Sequence, residues 1–129
     1  MSAEVNLSDL FAARYESGGR GPEAFDCFGL FSEVCRRRGI TVPEHQTPEA
    51  MAARADLIAA GRAADWIEID KPEPYCAVAL RIGPFVAHMG VVLDDCRHFL
   101  HACEGTGISV ELLTSPRWEK RIAGFYRHA

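Results

Sequence analysis

The chain has 129 residues, 48% of them hydrophobic and 25% charged, with a formal net charge of -4. This is the composition of one globular domain spanning 1–129, and folding at this length buries roughly two-thirds of the surface the unfolded chain exposes, so neither disulfides nor a structural metal is required. The acidic balance argues against nucleic acid as a partner, since phosphate binding draws on clustered Lys and Arg, and the one basic run is Arg36-Arg37-Arg38.

Leu7, Leu10, Phe11 and Tyr15 recur at helical spacing behind Asn6 or Ser8 as a cap, and predict a first helix that stops at Gly18-Gly19-Arg20-Gly21-Pro22. Asp26 then stands where an N-cap belongs. Cys27, Leu30, Phe31, Val34 and Cys35 form one apolar face behind it, the Arg triplet lies in the last turn, and Gly39 supplies the residue after the cap. A second helix is therefore predicted over about 26–38. Thr47 as cap, Pro48 at the first position, Met51, Ala55 and Ile58 on one side, and Gly61 as stop predict a third. From Trp66 onward the texture is stranded: Trp66–Ile69, Tyr75–Ile82, Val86–Leu93, His98–Cys103, Ile108–Leu113 and Arg121–Arg127, divided by Pro, Gly and Asp turns. Helices followed by a meander give an α+β fold, with N-terminal helices packed on a five- to six-stranded antiparallel sheet.

No apolar stretch approaches the ~20 residues needed to span a bilayer, so membrane insertion is not expected. Met1–Asn6 lacks the basic and apolar regions of a secretory signal, which leaves synthesis in the cytoplasm as the expectation. Five Cys at irregular spacing (27, 35, 76, 96, 103) do not read as a disulfide framework. Each is then a packing residue, a ligand or a nucleophile.

Cys27 carries the most information, because the first turn of its helix points free N–H groups at it. That placement lowers a thiol pKa, and the same N–H groups suit an oxyanion. On this ground Cys27 is expected to react with iodoacetamide well before the other four thiols. A base is offered by the ribbon around Asp94-Asp95. A two-residue turn there sets His88 opposite His101, whereas a four-residue loop over 94–97 sets His88 opposite Cys103 and leaves His101 its diagonal neighbour on the same face. A three-residue loop without a bulge separates them. One imidazole then takes the thiol proton while the other holds its ring. The competing constellation Cys96, His98, His101 and Cys103 is a poor metal site, since alternation turns His98 away from His101 and Cys103. No metal is expected. Cys35 and Cys76 read as core, His45 and His128 as solvated, and Gly90 as a point of close approach.

Tyr15-x-x-Gly18-Gly19, Asp26-Cys27-Phe28-Gly29-Leu30, His88-Met89-Gly90-Val91-Val92 and Phe99-Leu100-His101-Ala102 resemble, in that order, the motifs of NlpC-type cysteine peptidases, papain-like enzymes that cut peptidoglycan stem peptides. Gly18-Gly19-Arg20-Gly21-Pro22 and the ending Arg121–Arg127 resemble the branch found in tailed phages and gene transfer agents. The resemblance implies a papain-like fold, Cys27 as nucleophile, His88 as general base, His101 as orienting member, Tyr15 with its hydroxyl near the thiol, and Asp26 helping to hold substrate. It implies no cofactor, and as substrate the amide between γ-D-glutamyl and a diamino acid in a peptidoglycan stem peptide. Tail proteins of a phage or transfer particle are the implied partners, with the chain incorporated into that particle and no wall-binding module of its own. Two other readings stay open: a structural or assembly component of a tail tip, and a thiol acyltransferase or amidase on another substrate. Phe28 stands where the family commonly has Ser or Trp, and the usual Gly-Asp pair before the first core strand is replaced near Tyr75-Cys76.

Overall fold

The computed structural model describes residues 5–43, 51–64 and 66–128. Where a first helix is predicted, the chain makes only a short 3-10 turn, Ser8–Ala12, whose entry is held by Asn6 Oδ1 accepting from the Ser8 backbone N–H (3.0 Å) and hydroxyl (2.8 Å). The apolar spacing misleads because Leu10 is buried while Phe11 is 49% exposed. Tyr15 is not helical either: β1 (Arg14–Tyr15) runs parallel to β2 (Ala24–Phe25), with Tyr15 beside Phe25, and the glycine-rich segment turns between them.

The predicted second helix is α1, Cys27–Arg37, with Asp26 as its N-cap and Gly39 at positive φ (81°) after its last turn. Leu30, Phe31, Val34 and Cys35 are buried along one side and join Ala77, Ala79, Val91, Leu100 and Ala102 in the main core. Leu30, Phe31 and Val34 each contribute about 1.5–3 kcal/mol by leaving water. The Arg triplet is a set of structural clamps: Arg36 and Arg37 both bind Glu33, Arg37 also binds Asp9 of the 3-10 turn, and Arg38 stacks on the Tyr75 ring. The third helix is α2, Met51–Ala64, which continues past Gly61 instead of stopping there. Its predicted cap, Thr47-Pro48, and His45 lie outside the described residues.

Six strands follow: β3 (Trp66–Ile69), β4 (Ala77–Ile82), β5 (Phe85–Val92), β6 (His98–Cys103), β7 (Gly107–Leu112) and β8 (Ile122–His128). They form one antiparallel sheet in the order β3-β8-β4-β5-β6-β7, so the last strand inserts between the first and second. The α+β class and the six-stranded sheet are as expected. Helices α1 and α2 both pack against β5. A second cluster joins the strand residues Val78, Leu80, Val92 and Phe99, which alternate with those under α1, to Cys76, Leu113 and Trp118 from the flanking loops.

Candidate active site

The β5–β6 ribbon sets the two histidines. Val91 lies opposite Leu100 and Val92 opposite Phe99, and the Leu93 N–H donates to the His98 carbonyl (2.8 Å), so the connection is the four-residue loop 94–97. Continued along the ribbon, this register makes His101 the diagonal neighbour of His88. Their rings meet: His88 Nε2 and His101 Nδ1 share a hydrogen bond of 2.9 Å, with both residues buried. Gly90 allows the ribbon to close, since a Cβ there would stand 2.8 Å from the Phe99 ring and 3.0 Å from the Leu100 carbonyl oxygen. Its close approach is to the neighbouring strand. The His101 ring packs edge-on against Trp118 at 5.0 Å and also meets Phe99.

Two charged groups border the pair. Glu111 on β7 reaches His101 Nε2 with Oε2 at 3.4 Å, and the guanidinium of Arg117 acts on the same ring. Burial lowers the His101 pKa, partly countered by Glu111. Burial, followed by the neighbouring His101 and by Arg54, lowers His88 to about 3. Both imidazoles are therefore neutral at physiological pH.

Cys27 is the first residue of α1 and is 6% exposed. Its thiol does not have the lowered pKa that its helix position predicts. Burial pushes it up to about 11, with the Asp26 carboxylate adding to the rise, while N–H groups of Met89 and Phe28 and the charge of Arg54 pull the other way. Loss of water outweighs the helix terminus here. The Met89 N–H ties the sulfur to β5 one residue beyond His88. Among the described residues, no hydrogen bond joins Cys27 Sγ to either imidazole. Cys27, His88 and Tyr15 nevertheless all feel the charge of Arg54 on α2, whose Nε is buried.

Tyr15 is half-buried, and burial raises its hydroxyl pKa, with Arg54 pulling it down and Asp26 and Glu104 adding to the rise. Asp26 is wholly buried and occupied. Its carboxylate accepts from Gly29 N–H (2.7 Å) and Gly18 N–H (3.0 Å) and binds Arg20 Nη1 at 2.9 Å. Any effect of Asp26 on substrate therefore passes through the glycine loop and the helix start that it joins. His98 turns to Asp95, away from His101. Glu111, Arg54 and Trp118 escaped the sequence reading. Glu111 alone had a usable cue, since the β6–β7 pairing sets it diagonal to His101.

A Cys at the head of a capped helix, beside a strand whose histidine is locked to a second histidine, fits the sequence comparisons. The profile of the NlpC/P60 family matches residues 12–127. The chain belongs to the NlpC/P60 family. Relatives of this NlpC/P60 domain include a probable endopeptidase p60 of Listeria welshimeri, 27% identical over 113 residues, and one of Listeria seeligeri, 26% identical over 113 residues. Each match covers 88% of this chain and 19% of the relative, so the chain spans about a fifth of their length. Among solved structures, a lipoprotein-like NLP/P60-family protein of Staphylococcus aureus aligns with TM-score 0.59 and 22% identity over 94% of this chain and 38% of that one. NlpC1 of Trichomonas vaginalis aligns with TM-score 0.65 and 18% identity over 93% of this chain and 43% of its own. These two likenesses establish the α+β fold of the family.

Proposed function

We propose that this NlpC/P60 domain is a cysteine peptidase that cleaves peptidoglycan stem peptides at the amide between γ-D-glutamyl and a diamino acid. The observation that carries the reading is the buried His88–His101 hydrogen bond on the strand whose next residue, Met89, touches the Cys27 sulfur. Family membership and the Listeria endopeptidase relatives support the substrate class.

Cys27 and His88 rest as neutral thiol and neutral imidazole, so the thiol proton moves to His88 during attack and not before it. The two charges then form together and offset in part the cost each would meet alone in the dry site. Sulfur bonds to the amide carbonyl carbon, and the oxyanion falls to the Cys27 backbone N–H at the start of α1, since the Gly29 N–H is held by Asp26. His88 returns the proton to the leaving amine, a thioester remains on Cys27, and water activated by His88 releases the acid. Tyr15 lines the thiol side, and Arg54 adds positive potential where negative charge develops. The likeness of segments 18–22 and 121–127 to the phage and transfer-agent branch supports carriage to the wall on a tail assembly. Particles lacking the protein should then digest cell wall less well, and unchanged digestion counts against carriage.

Mass spectrometry of muropeptides incubated with native protein and with Cys27→Ala tests the activity. The expected result is a γ-D-glutamyl cleavage product from native protein only. No product from either favours the second reading, an assembly component of little activity, which the missing thiol–imidazole hydrogen bond favours. A transferred adduct in place of a hydrolysis product indicates an acyltransferase.

A further inference from the structure

The hydrogen bond between His88 and His101 leaves one question of chemistry open, and a residue on β7 answers it. Two neutral imidazoles facing each other through Nε2 and Nδ1 hold a single proton between them, which permits two arrangements. In the first, His88 donates from Nε2, its Nδ1 is bare and free to take a proton, and His101 carries its own hydrogen on Nε2. In the second, His101 donates from Nδ1, and His88 carries its hydrogen on Nδ1, where it has no capacity as a base. The two rings alone do not choose. The choice belongs to whatever faces the far nitrogen of His101, and that group is Glu111, with Oε2 3.4 Å from Nε2.

We propose that Glu111 is a positioning residue: its carboxylate, which only accepts hydrogen bonds, holds the hydrogen of His101 on Nε2 and thereby leaves Nδ1 of His88 as the free base. The role rests on the peptidase reading of the site, but the arrangement of hydrogens exists without substrate. Glu111 suits the task because it sits diagonal to His101 across β6 and β7 and keeps 25% of its side chain exposed, so its charge stays solvated while one oxygen faces the buried ring. The other charged groups around the relay are cations: Arg117, whose guanidinium stacks on Trp118, acts on His101, and Arg54 acts on His88. Neither accepts a hydrogen bond. Ser109, directly opposite His101, carries a hydroxyl that both donates and accepts and so imposes no direction.

Long-range ¹H–¹⁵N spectra of the histidine ring nitrogens, recorded on the full chain at pH 7, test the assignment for native protein, Glu111→Ala and Glu111→Lys. Native protein should show both His88 and His101 protonated at Nε2 alone. Glu111→Ala should populate the reverse arrangement, and Glu111→Lys, whose ammonium only donates, should favour it. The fall in kcat on a stem peptide should be roughly a hundredfold with KM little changed, less than the loss on removing a direct orienting partner of a catalytic histidine. A native spectrum with His101 protonated at Nδ1, or variants that keep the native pattern, overturns the assignment. Native tautomers as stated, without any peptide cleavage, would instead remove the peptidase reading and leave Glu111 in place.

Discussion

Residue by residue, burial governs the reactivity of this chain more than secondary structure does. Cys27, Cys35 and Cys76 are all pushed up to about 11, in each case by desolvation first, although only Cys27 opens a helix. Iodoacetamide at pH 7 should therefore label the partly exposed Cys96 and Cys103 before Cys27, which peptide mapping after short exposure would resolve. Fastest labelling at Cys27 would show that His88 draws its proton even without substrate. Asp26 is the second residue whose loss should be large. Asp26→Ala removes a helix cap, frees two N–H groups and breaks the ion pair with Arg20, and should cost about 3 kcal/mol in urea unfolding. The residues of the candidate site stood out in sequence because their chemistry is written in their types. Their protonation was not, because desolvation depends on which side chains close over a group, and Trp118 over the histidines is a contact between distant segments.

At the scale of elements, the ribbon carrying His88 and His101 shows what turn chemistry decides. A two-residue type I′ turn needs two central residues at positive φ, and Asp94-Asp95 suits it poorly. The loop instead places Cys96 at φ 57° and lets Asp95 Oδ1 accept from Arg97 N–H (2.9 Å) and His98 N–H (3.0 Å), which lowers the Asp95 pKa to about 2. The sequence left two-, three- and four-residue loops open, and the four-residue loop is the one that occurs. The first helix was misread because pairing of Tyr15 with Phe25 draws the chain out straight, and no periodicity within 7–15 reports a partner ten residues on. That pairing also sets Tyr15 beside Phe25, two residues before Cys27. Gly29 locks the two parts together, since a Cβ there would meet the Gly19 carbonyl oxygen at 2.1 Å, backbone on backbone. Gly29→Ala should lower stability by about 2–3 kcal/mol and be read as a drop in the urea midpoint with the slope unchanged.

For the molecule as a whole, the buried histidines tie stability to pH. The folded pKa of His88 is depressed from 6.5 to about 3, so between those values the unfolded chain binds a proton that the folded chain refuses. Stability should fall as pH drops below about 6.5, by up to ~1.4 kcal/mol per pH unit from His88, with His101 acting in the same direction. Urea midpoints at pH 7 and pH 5 would measure it, and His88→Gln should flatten the slope. On the proposed reading, the same dryness that makes the imidazoles reluctant to charge also makes the Cys27 thiol wait for its substrate. Acid-quenched intact-mass analysis of the chain mixed with a γ-D-glutamyl-diamino acid stem peptide tests that reading most directly. The expected species is a thioester whose added mass is the γ-D-glutamyl acyl-side fragment, as its free acid, less one water, mapped to Cys27 and absent from Cys27→Ala. An adduct mapped to another residue, or hydrolysis that continues undiminished in Cys27→Ala, would contradict it.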